Sequence, residues 1–255
     1  MTRAARRVAI GAHAILVADD QPTFWNRVEA GTWEPGTLRV LEACLGPGSL
    51  FVDIGAWVGT LSLYAASLGA EVVALEADPR ALDQLRRNLD ANPLLAERVR
   101  VIGRALSADG AAVGMGAPRK AGDSMSSTLL AGRGETWTSP GIGARELASE
   151  LGGRRPDLVK LDIEGGEYAV LPTLGPLLGS GSPLLLALHP ESLGASGEAD
   201  VAAATRRALA GLHGRDVARV EAGGLVPAEL GDIAAARAAE WLLTSPDGEA
   251  TRPSP

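Results

Sequence analysis

The sequence predicts an α/β fold in which helices cover both faces of a parallel β-sheet. Short, continuous apolar runs alternate with segments whose apolar residues recur at helical spacing, and several of the runs end in a glycine or an acidic residue. Strands that are joined through helices run parallel, and strands that are apolar throughout lie in a sheet with both faces buried. We therefore expect a doubly wound sheet.

The composition is typical of a single globular domain. The chain has 255 residues, 46% of them hydrophobic and 22% charged, which excludes disordered, collagen-like and membrane-bundle proteins. The net charge of −7 disfavours nucleic acid as a partner, because contacts to phosphates need clustered Lys and Arg. Cys44 stands alone, so no intrachain disulfide forms, and we expect a cytoplasmic protein that is not bound to a membrane.

The elements follow in order along the chain. One or two strands are expected within residues 8–18, followed by a helix in TLRVLEACL. Asp78 and Pro79 are typical of the cap and first turn of a helix. The predicted strands of the sheet are 49–55, 71–79, 99–106, 157–165 and 183–191, and the intervening helices include 60–69 and 167–178.

Two regions depart from this alternation. Residues 107–143 are rich in Gly, Ser and Ala, so we expect a partly ordered excursion with one hairpin that controls access to the site. The C-terminal region is expected to contain a helix at 198–211, a strand at 215–223, a helix at 231–239 and an apolar segment at 240–246. We accordingly divide the chain into an N-terminal cap (1–48), the main domain (49–246) and a disordered tail (247–255).

The segment FVDIGAWVGTLSLYAASLG predicts a ligand-binding loop between a strand and a helix. Gly55 and Gly59 allow the backbone to approach a ligand, and the free N–H groups at the helix start favour an anionic group. The loop lacks the GxGxxG spacing of dinucleotide sites, and Asp53 would repel a pyrophosphate but accept from an ammonium group. These features favour an amino-acid ligand such as the methionine part of S-adenosylmethionine, although a purely structural turn is the alternative.

Glu76 ends the next strand, 23 residues after Asp53. An acid at this place in a parallel α/β nucleotide site binds ribose hydroxyls, and ligands bind where the strands end. Taken singly, Glu76 could be a solvated strand end; paired with the glycine loop, it predicts a nucleoside pocket.

The segment LVKLDIEGGEYAVL concentrates charge on a central strand. Side chains alternate along a strand, so Lys160, Asp162 and Glu164 are expected on one face. Burying three charges is costly unless they pair or meet a ligand, which makes this strand end a candidate functional site. The alternative for Lys160 is a structural ion pair.

His189 is the candidate base. The fifth strand ends in LALHPE, which brings His189 and Glu191 to the same edge of the sheet, and an unperturbed imidazole accepts a proton near neutral pH. A turn residue before proline is the alternative. Asp162, His189 and Glu191 could instead hold a divalent cation, but their spacing does not support a metal site.

The chain resembles the FkbM-type S-adenosylmethionine-dependent methyltransferases over about residues 32–190. The resemblance rests on the quoted segments, on WEPGTLRVLEACLGPGS before them, on RALSADG and on DSMSSTLL, in which Ser126 and Ser127 match a serine pair of the family. It implies a seven-stranded Rossmann-like sheet with an antiparallel last strand, and methyl transfer to a hydroxyl of a sugar, polyketide or other natural product. The cofactor residues that it implies are Glu34, Asp53, Gly55, Ala56, Trp57, Gly59, Glu76, Ala77 and Asp162.

The same resemblance places Asp162 and Glu164 near the reacting centre, where we expect His189 or Asp162 to act as the base and Glu164 and Lys160 to orient it. The chain departs from the family at Trp57, where a small Asn is usual, and at Ala187, where many members carry an acid. We expect O-methylation of a small-molecule acceptor. N-methylation, a catalytically silent cofactor-binding protein, an NAD(P)-linked oxidoreductase, and a homodimeric state are left open.

Overall fold

The computed structural model describes residues 5–18, 20–122, 124–179, 181–237 and 239–246. The tail expected at 247–255 lies outside these residues. The strands are β1 Ala5–Ile10, β2 His13–Ala18, β3 Leu50–Ile54, β4 Glu71–Leu75, β5 Val99–Ile102, β6 Ala105–Leu106, β7 Val113–Ala117, β8 Glu135–Ser139, β9 Gly141–Ile142, β10 Leu158–Leu161, β11 Leu184–Leu188, β12 Asp216–Glu221, β13 Gly224–Ala228 and β14 Ala239–Thr244. The α-helices are α1 Pro22–Glu29, α2 Pro35–Cys44, α3 Thr60–Ser67, α4 Pro79–Asp90, α5 Pro93–Ala96, α6 Ala144–Glu150, α7 Glu167–Val170, α8 Gly175–Leu178, α9 Pro190–Ala195, α10 Val201–Leu209 and α11 Leu230–Ala235.

The central sheet confirms the predicted fold class. Within the described ranges it has eight strands in the order β13-β12-β14-β11-β10-β3-β4-β5. Strands β11, β10, β3, β4 and β5 are parallel, and β14, the last strand, pairs antiparallel with β11. The strand beyond the expected seven is β13, which extends the sheet as a hairpin with β12.

Two apolar layers enclose this sheet. On one face, α6, α7, α8 and α10 pack against side chains such as Val52 and Leu186. On the other face, the β1–β2 hairpin and helices α1 to α4 pack around Trp25, Phe51 and Tyr64, all of which are less than 2% exposed. The N-terminal segment is therefore part of the second layer, and it holds the start of α2 over the edge where the parallel strands end.

The prediction for α4 is confirmed in detail. Asp78 caps the helix, because its Oδ1 accepts from the backbone N–H groups of Arg80 at 2.8 Å and Ala81 at 3.2 Å. The expected helix at 167–178 is instead broken into α7, a short 3₁₀ turn and α8. Pro172 and Pro176 fall in the second and third pieces, and proline has no N–H group with which to continue a helix.

The excursion at 107–143 contains the expected hairpin, formed by β7 and β8. It is tied to the sheet edge at Asp78, whose Oδ2 accepts from the Gly122 N–H and from the Ser126 hydroxyl, each at 2.6 Å. Helices α1, α5, α6 and α9 are additions to the sequence prediction. None of the helices in the described ranges is long and apolar enough to cross a membrane.

Candidate active site

Two cavities open where the parallel strands end. The first is lined by residues that include Glu76, Ala77 and Met115. The second is lined by residues that include Glu34, Asp53 and Ala56. Residues lining both cavities include Gly55, Trp57, Asp162 and Glu164. The two cavities therefore adjoin, and the sequence-predicted residues surround their junction.

The glycine loop holds two strand ends close together. Gly55 has a φ of +87°, and a Cβ there would lie 1.8 Å from the carbonyl oxygen of Asp162. Gly59 has a φ of +82° and precedes α3. Trp57 adopts a left-handed φ of 48°, which is unusual for a bulky residue. Its backbone N–H donates to Glu76 Oε2 at 2.6 Å, and this bond stabilises the strained turn.

Three buried oxygen atoms that line the second cavity lack hydrogen-bond partners within the described part of the chain. These atoms are Glu34 Oε2, Asp53 Oδ1 and Thr60 Oγ1. The other oxygen of Asp53 accepts from the Ser62 hydroxyl at 2.6 Å. Burial raises the pKa of Asp53, and burial likewise raises the pKa of Glu34 to about 8. A ligand with several hydrogen-bond donors would satisfy all three atoms.

Glu76 is held firmly at the first cavity. Its Oε1 accepts from the Asp78 N–H at 2.7 Å, while its Oε2 accepts from the Trp57 N–H. Burial raises the pKa of Glu76 to about 7, although these backbone N–H groups oppose the shift. The carboxylate is thus oriented before any ligand arrives, as the ribose-binding prediction requires.

Lys160 is the buried cation of the site. It is 3% exposed, and its Nζ donates to Asp162 Oδ2 at 2.8 Å. Burial by itself lowers the pKa of Lys160, but the carboxylates of Asp162, Asp53 and Glu34 outweigh burial and raise it above the usual range. Burial raises the pKa of Asp162, but Lys160 outweighs burial and lowers it. Both side chains therefore remain charged at neutral pH.

The prediction that Lys160, Asp162 and Glu164 alternate along one strand is wrong. The strand ends at Leu161, so Asp162 and Glu164 lie in the turn that follows it. Glu164 has a left-handed φ of 56°. The three charged residues nevertheless gather at one place, because the turn folds back over the strand end and Gly165, with a φ of +102°, allows the reversal.

His189 is enclosed by carboxylates. Its Nδ1 lies 3.2 Å from Glu167 Oε1, and its Nε2 lies 3.5 Å from Glu164 Oε2 and 3.7 Å from Asp162 Oδ1. Burial lowers the pKa of His189, but the hydrogen bond and charge of Glu167, with Asp162 and Glu164, raise it to about 9. The imidazole is then already protonated at pH 7 and has no lone pair with which to accept a proton. This environment disfavours His189 as the base, and the identity of the base stays a prediction.

Glu164 has the properties that His189 lacks. Its carboxylate lines both cavities, whereas His189 lines neither of them. Burial raises the pKa of Glu164 to about 7, and His189 partly opposes the shift. A carboxylate with this pKa is poised to exchange a proton near neutral pH. Asp162, the other predicted base, is a weaker candidate because Lys160 stabilises its ionised form.

One atom from each of Asp162, Glu164 and His189 lies within 4.8 Å of the others, a donor set that could hold a divalent cation. The third possible ligand is therefore Glu164 and not Glu191, which the sequence suggested and which is exposed in the first turn of α9. Lys160 and the protonated His189 already balance these carboxylates with positive charge.

Two acids of the site were missed by the sequence analysis. Glu167 is fully buried and accepts from the N–H groups of Ile163 at 2.7 Å and Gly165 at 2.8 Å. Glu240 on β14 is the Cα partner of Ala187 and accepts from the Thr37 hydroxyl. The neighbouring strand therefore supplies a carboxylate beside Ala187, where the family pattern led us to expect an acid. The available signal for Glu240 was a charged residue at the second position of a largely apolar strand.

Comparison with known proteins bears on this site directly. The family described as the methyltransferase FkbM domain matches residues 53–187, which contain the glycine loop, Glu76 and the turn after β10. A ribosomal protein L11 methyltransferase of Symbiobacterium thermophilum is 45% identical over 56 residues, which are 22% of this chain and 18% of that protein. A probable histone-arginine methyltransferase 1.4 of Arabidopsis thaliana is 48% identical over 56 residues, 22% of this chain and 10% of its own length. The chain thus matches less than a fifth of the length of these curated relatives.

Among solved structures, a putative rRNA-methylase from Clostridium thermocellum aligns with a TM-score of 0.48 and 12% identity, covering 83% of this chain and 95% of that one.

Proposed function

The chain belongs to the FkbM methyltransferase domain family, and from this premise we propose that it transfers the methyl group of S-adenosylmethionine to a hydroxyl oxygen of a small molecule. The acceptor class is that of sugars and natural products. One observation carries the proposal: Glu164, a carboxylate whose pKa is raised to about 7, lies where the two cavities meet. An alcohol must lose its proton as it is methylated, and this carboxylate can take it.

The residues present fit the cofactor of this family. The unpartnered oxygens of Glu34, Asp53 and Thr60 offer acceptors to the ammonium group of its methionine part. Gly55 and Gly59 supply the positive φ angles that the turn needs, and the N–H groups at the start of α3 suit the methionine carboxylate. Glu76 is oriented for ribose hydroxyls beside the largely apolar first cavity. Ala56, Trp57 and Ala77 complete the walls.

When bound, S-adenosylmethionine supplies a methyl group already activated by its sulfonium. The task of the chain is then to hold the acceptor hydroxyl in line and to remove its proton, and positioning alone supplies much of the rate. Glu164 accepts the hydroxyl proton as the new carbon–oxygen bond forms. His189, held by Glu167 on its other ring nitrogen, keeps the Glu164 side chain in place and stabilises its ionised form.

Charge and enclosure favour a small acceptor. The similar proteins are named as methyltransferases of a ribosomal protein, of histone arginine and of rRNA. For this chain, the net charge of −7 disfavours an RNA acceptor. The excursion residues Met115, Ser126 and Thr128 also cover the first cavity. Methylation of an amine is the second candidate, yet a neutral amine needs no base for attack, whereas Glu164 is set up as one. The lone Cys44 supports a cytoplasmic location.

The test uses the full chain, labelled S-adenosylmethionine, and matched pairs of hydroxylated and aminated acceptors. We expect methylation of a hydroxylated acceptor with a rate that rises through pH 7. Glu164→Gln should lower kcat about 10²- to 10⁴-fold, as loss of a general base does, with the cofactor Kd from calorimetry unchanged. The matched control is Glu191→Gln, an exposed acid at the same sheet edge.

Three results would contradict the proposal. Turnover of amines alone would favour N-methylation, and tight cofactor binding without any turnover would favour a silent binding protein. Binding of NADH in place of S-adenosylmethionine would favour the oxidoreductase.

A further inference from the structure

A third cavity adjoins the candidate active site and is lined by basic side chains. Arg27 comes from α1, Arg80 from α4, and Arg119 and Lys120 from the excursion. Among the residues that the structure describes, the acid on its wall is Asp20, which pairs with Arg87 at 2.8 Å. We call this space the basic cavity.

Three of these four cations have no ion-pair partner in the described part of the chain. Arg80 pairs with Glu135 at 2.8 Å, but none of the carboxylates in the described ranges lies within ion-pair distance of Arg27, Arg119 or Lys120. The convergence is unusual because the chain as a whole carries a net charge of −7 and Lys120 is one of only two lysines. A cleft lined by one sign of charge concentrates ions of the opposite sign.

The basic cavity communicates with the site of methyl transfer. Arg27, Phe24 and Trp57 line both the basic cavity and the second cavity. The rings of Phe24 and Trp57 meet edge to face with centroids 4.6 Å apart, and the indole Nε1 donates to the Gly122 carbonyl at 3.1 Å. This aromatic pair forms an apolar wall between the two spaces, and Arg27 lines both of them.

From this arrangement we propose that the methyl acceptor carries an anionic group, a phosphate or a carboxylate, which the basic cavity binds while the acceptor hydroxyl reaches Glu164. Arg27 contacts the anion, because its planar donor fork suits both kinds of group. Arg119 and Lys120 add charge from the excursion, so acceptor binding also orders that segment over the site. The inference rests on the proposed methyltransferase function and narrows its substrate class.

The test measures binding of three probes to the full chain in the presence of S-adenosylhomocysteine. Phenyl phosphate, benzoate and phenol share an aromatic ring and differ in charge, and quenching of tryptophan fluorescence or calorimetry gives each Kd. We expect both anions to bind and phenol to bind much more weakly. Binding should weaken as salt is raised, since exposed charges are screened. The ratio of the two anion affinities distinguishes a phosphate from a carboxylate acceptor.

Variants localise the binding. Arg27→Gln, and separately the double variant Arg119→Gln with Lys120→Gln, should each weaken phenyl phosphate about tenfold, as expected when a charge-assisted hydrogen bond is lost. Arg145→Gln, an exposed arginine on α6 that lines none of the three cavities, is the matched control and should have no effect.

The outcomes separate this inference from the proposed function. The inference is overturned if phenol binds as tightly as the two anions, or if none of the variants changes anion binding. In either case the proposed methyltransferase function stands as long as the chain binds the cofactor and methylates a neutral acceptor. Arg27-dependent binding of a single-stranded RNA without binding of the small anions also overturns it. If the unmodified chain does not bind S-adenosylmethionine, the proposed methyltransferase function itself is refuted.

Discussion

Replacing Lys160 with methionine removes the only cation that is buried among the carboxylates of Asp53, Asp162 and Glu34 within the described ranges. The Lys160 Nζ to Asp162 Oδ2 distance of 2.8 Å corresponds to an attraction of about 6 kcal/mol at an effective dielectric constant of about 20. The cost of burying the ammonium group offsets part of this attraction. Breaking a buried pair by removing one partner nevertheless costs about 3–5 kcal/mol, because the carboxylate is left uncompensated.

Urea unfolding followed by circular dichroism measures this loss. We expect Lys160→Met to lower the free energy of unfolding by about 3–5 kcal/mol without changing the m-value, and to lower the Tm by roughly 10 °C for a chain of this size. The control is Lys120→Met, an exposed lysine whose replacement should stay within about 0.5 kcal/mol of wild type.

A double variant makes the reasoning refutable. Lys160→Met combined with Asp162→Asn removes both charges, so it should be more stable than Lys160→Met alone. If Lys160→Met lies within about 1 kcal/mol of wild type, or if the double variant shows simple additivity, the buried ion pair does not stabilise the fold as argued.

Three further substitutions test other parts of the site. Gly55→Ala should lose at least about 2 kcal/mol of stability together with cofactor binding, because the φ of Gly55 is +87° and a Cβ there would meet the Asp162 carbonyl. Urea unfolding measures the stability and calorimetry measures the cofactor binding. The control is Gly46→Ala, where a Cβ meets open space, and it should stay near wild type in both assays. Asp78→Ala removes both the α4 cap and the anchor of the excursion, so we expect about 2 kcal/mol of destabilisation and faster tryptic cleavage within 107–143; unchanged cleavage would contradict the anchoring role. The pKa of Glu34 is raised from 4.5 to about 8, so its contribution to stability is complete below pH 4.5 and is lost as the pH rises through 8. Glu34→Gln should therefore match wild type near pH 4 and exceed it increasingly as the pH rises, by about 5 kcal/mol at pH 9. It should also bind the cofactor more weakly, whereas a constant stability difference between pH 4 and pH 9 would refute the shift.

The parts of the site that local spacing determines were predictable from the sequence. A strand that ends in Asp53 and turns through Gly55 and Gly59 places one acid at the sheet edge, and Glu76 follows from the next strand in the same way. Asp78 and Pro79 predicted the start of α4 because capping depends on residues within one turn.

The protonation of the site was not predictable in the same way. His189 was expected to be a base because its unperturbed pKa is near neutrality. Its actual environment depends on Glu167, which arrives from a different segment and is fixed by the Ile163 and Gly165 N–H groups. Glu240 reaches the site only through the pairing of β14 with β11. Contacts between segments distant in sequence decide both burial and charge, and a single sequence contains no direct record of them.

The carboxylate surplus at the strand ends connects stability with function. Asp53 and Glu34 each present a buried oxygen without a hydrogen-bond partner among the described residues, and such atoms cost free energy in the absence of a ligand. The Lys160 Nζ donates to Asp162 and leaves these two oxygens without a partner. A ligand that brings positive charge and N–H donors gains the remaining stabilisation on binding, so the same atoms that weaken the free protein give the site its preference for a cationic cofactor. The two apolar layers around the sheet supply the stability that tolerates this arrangement.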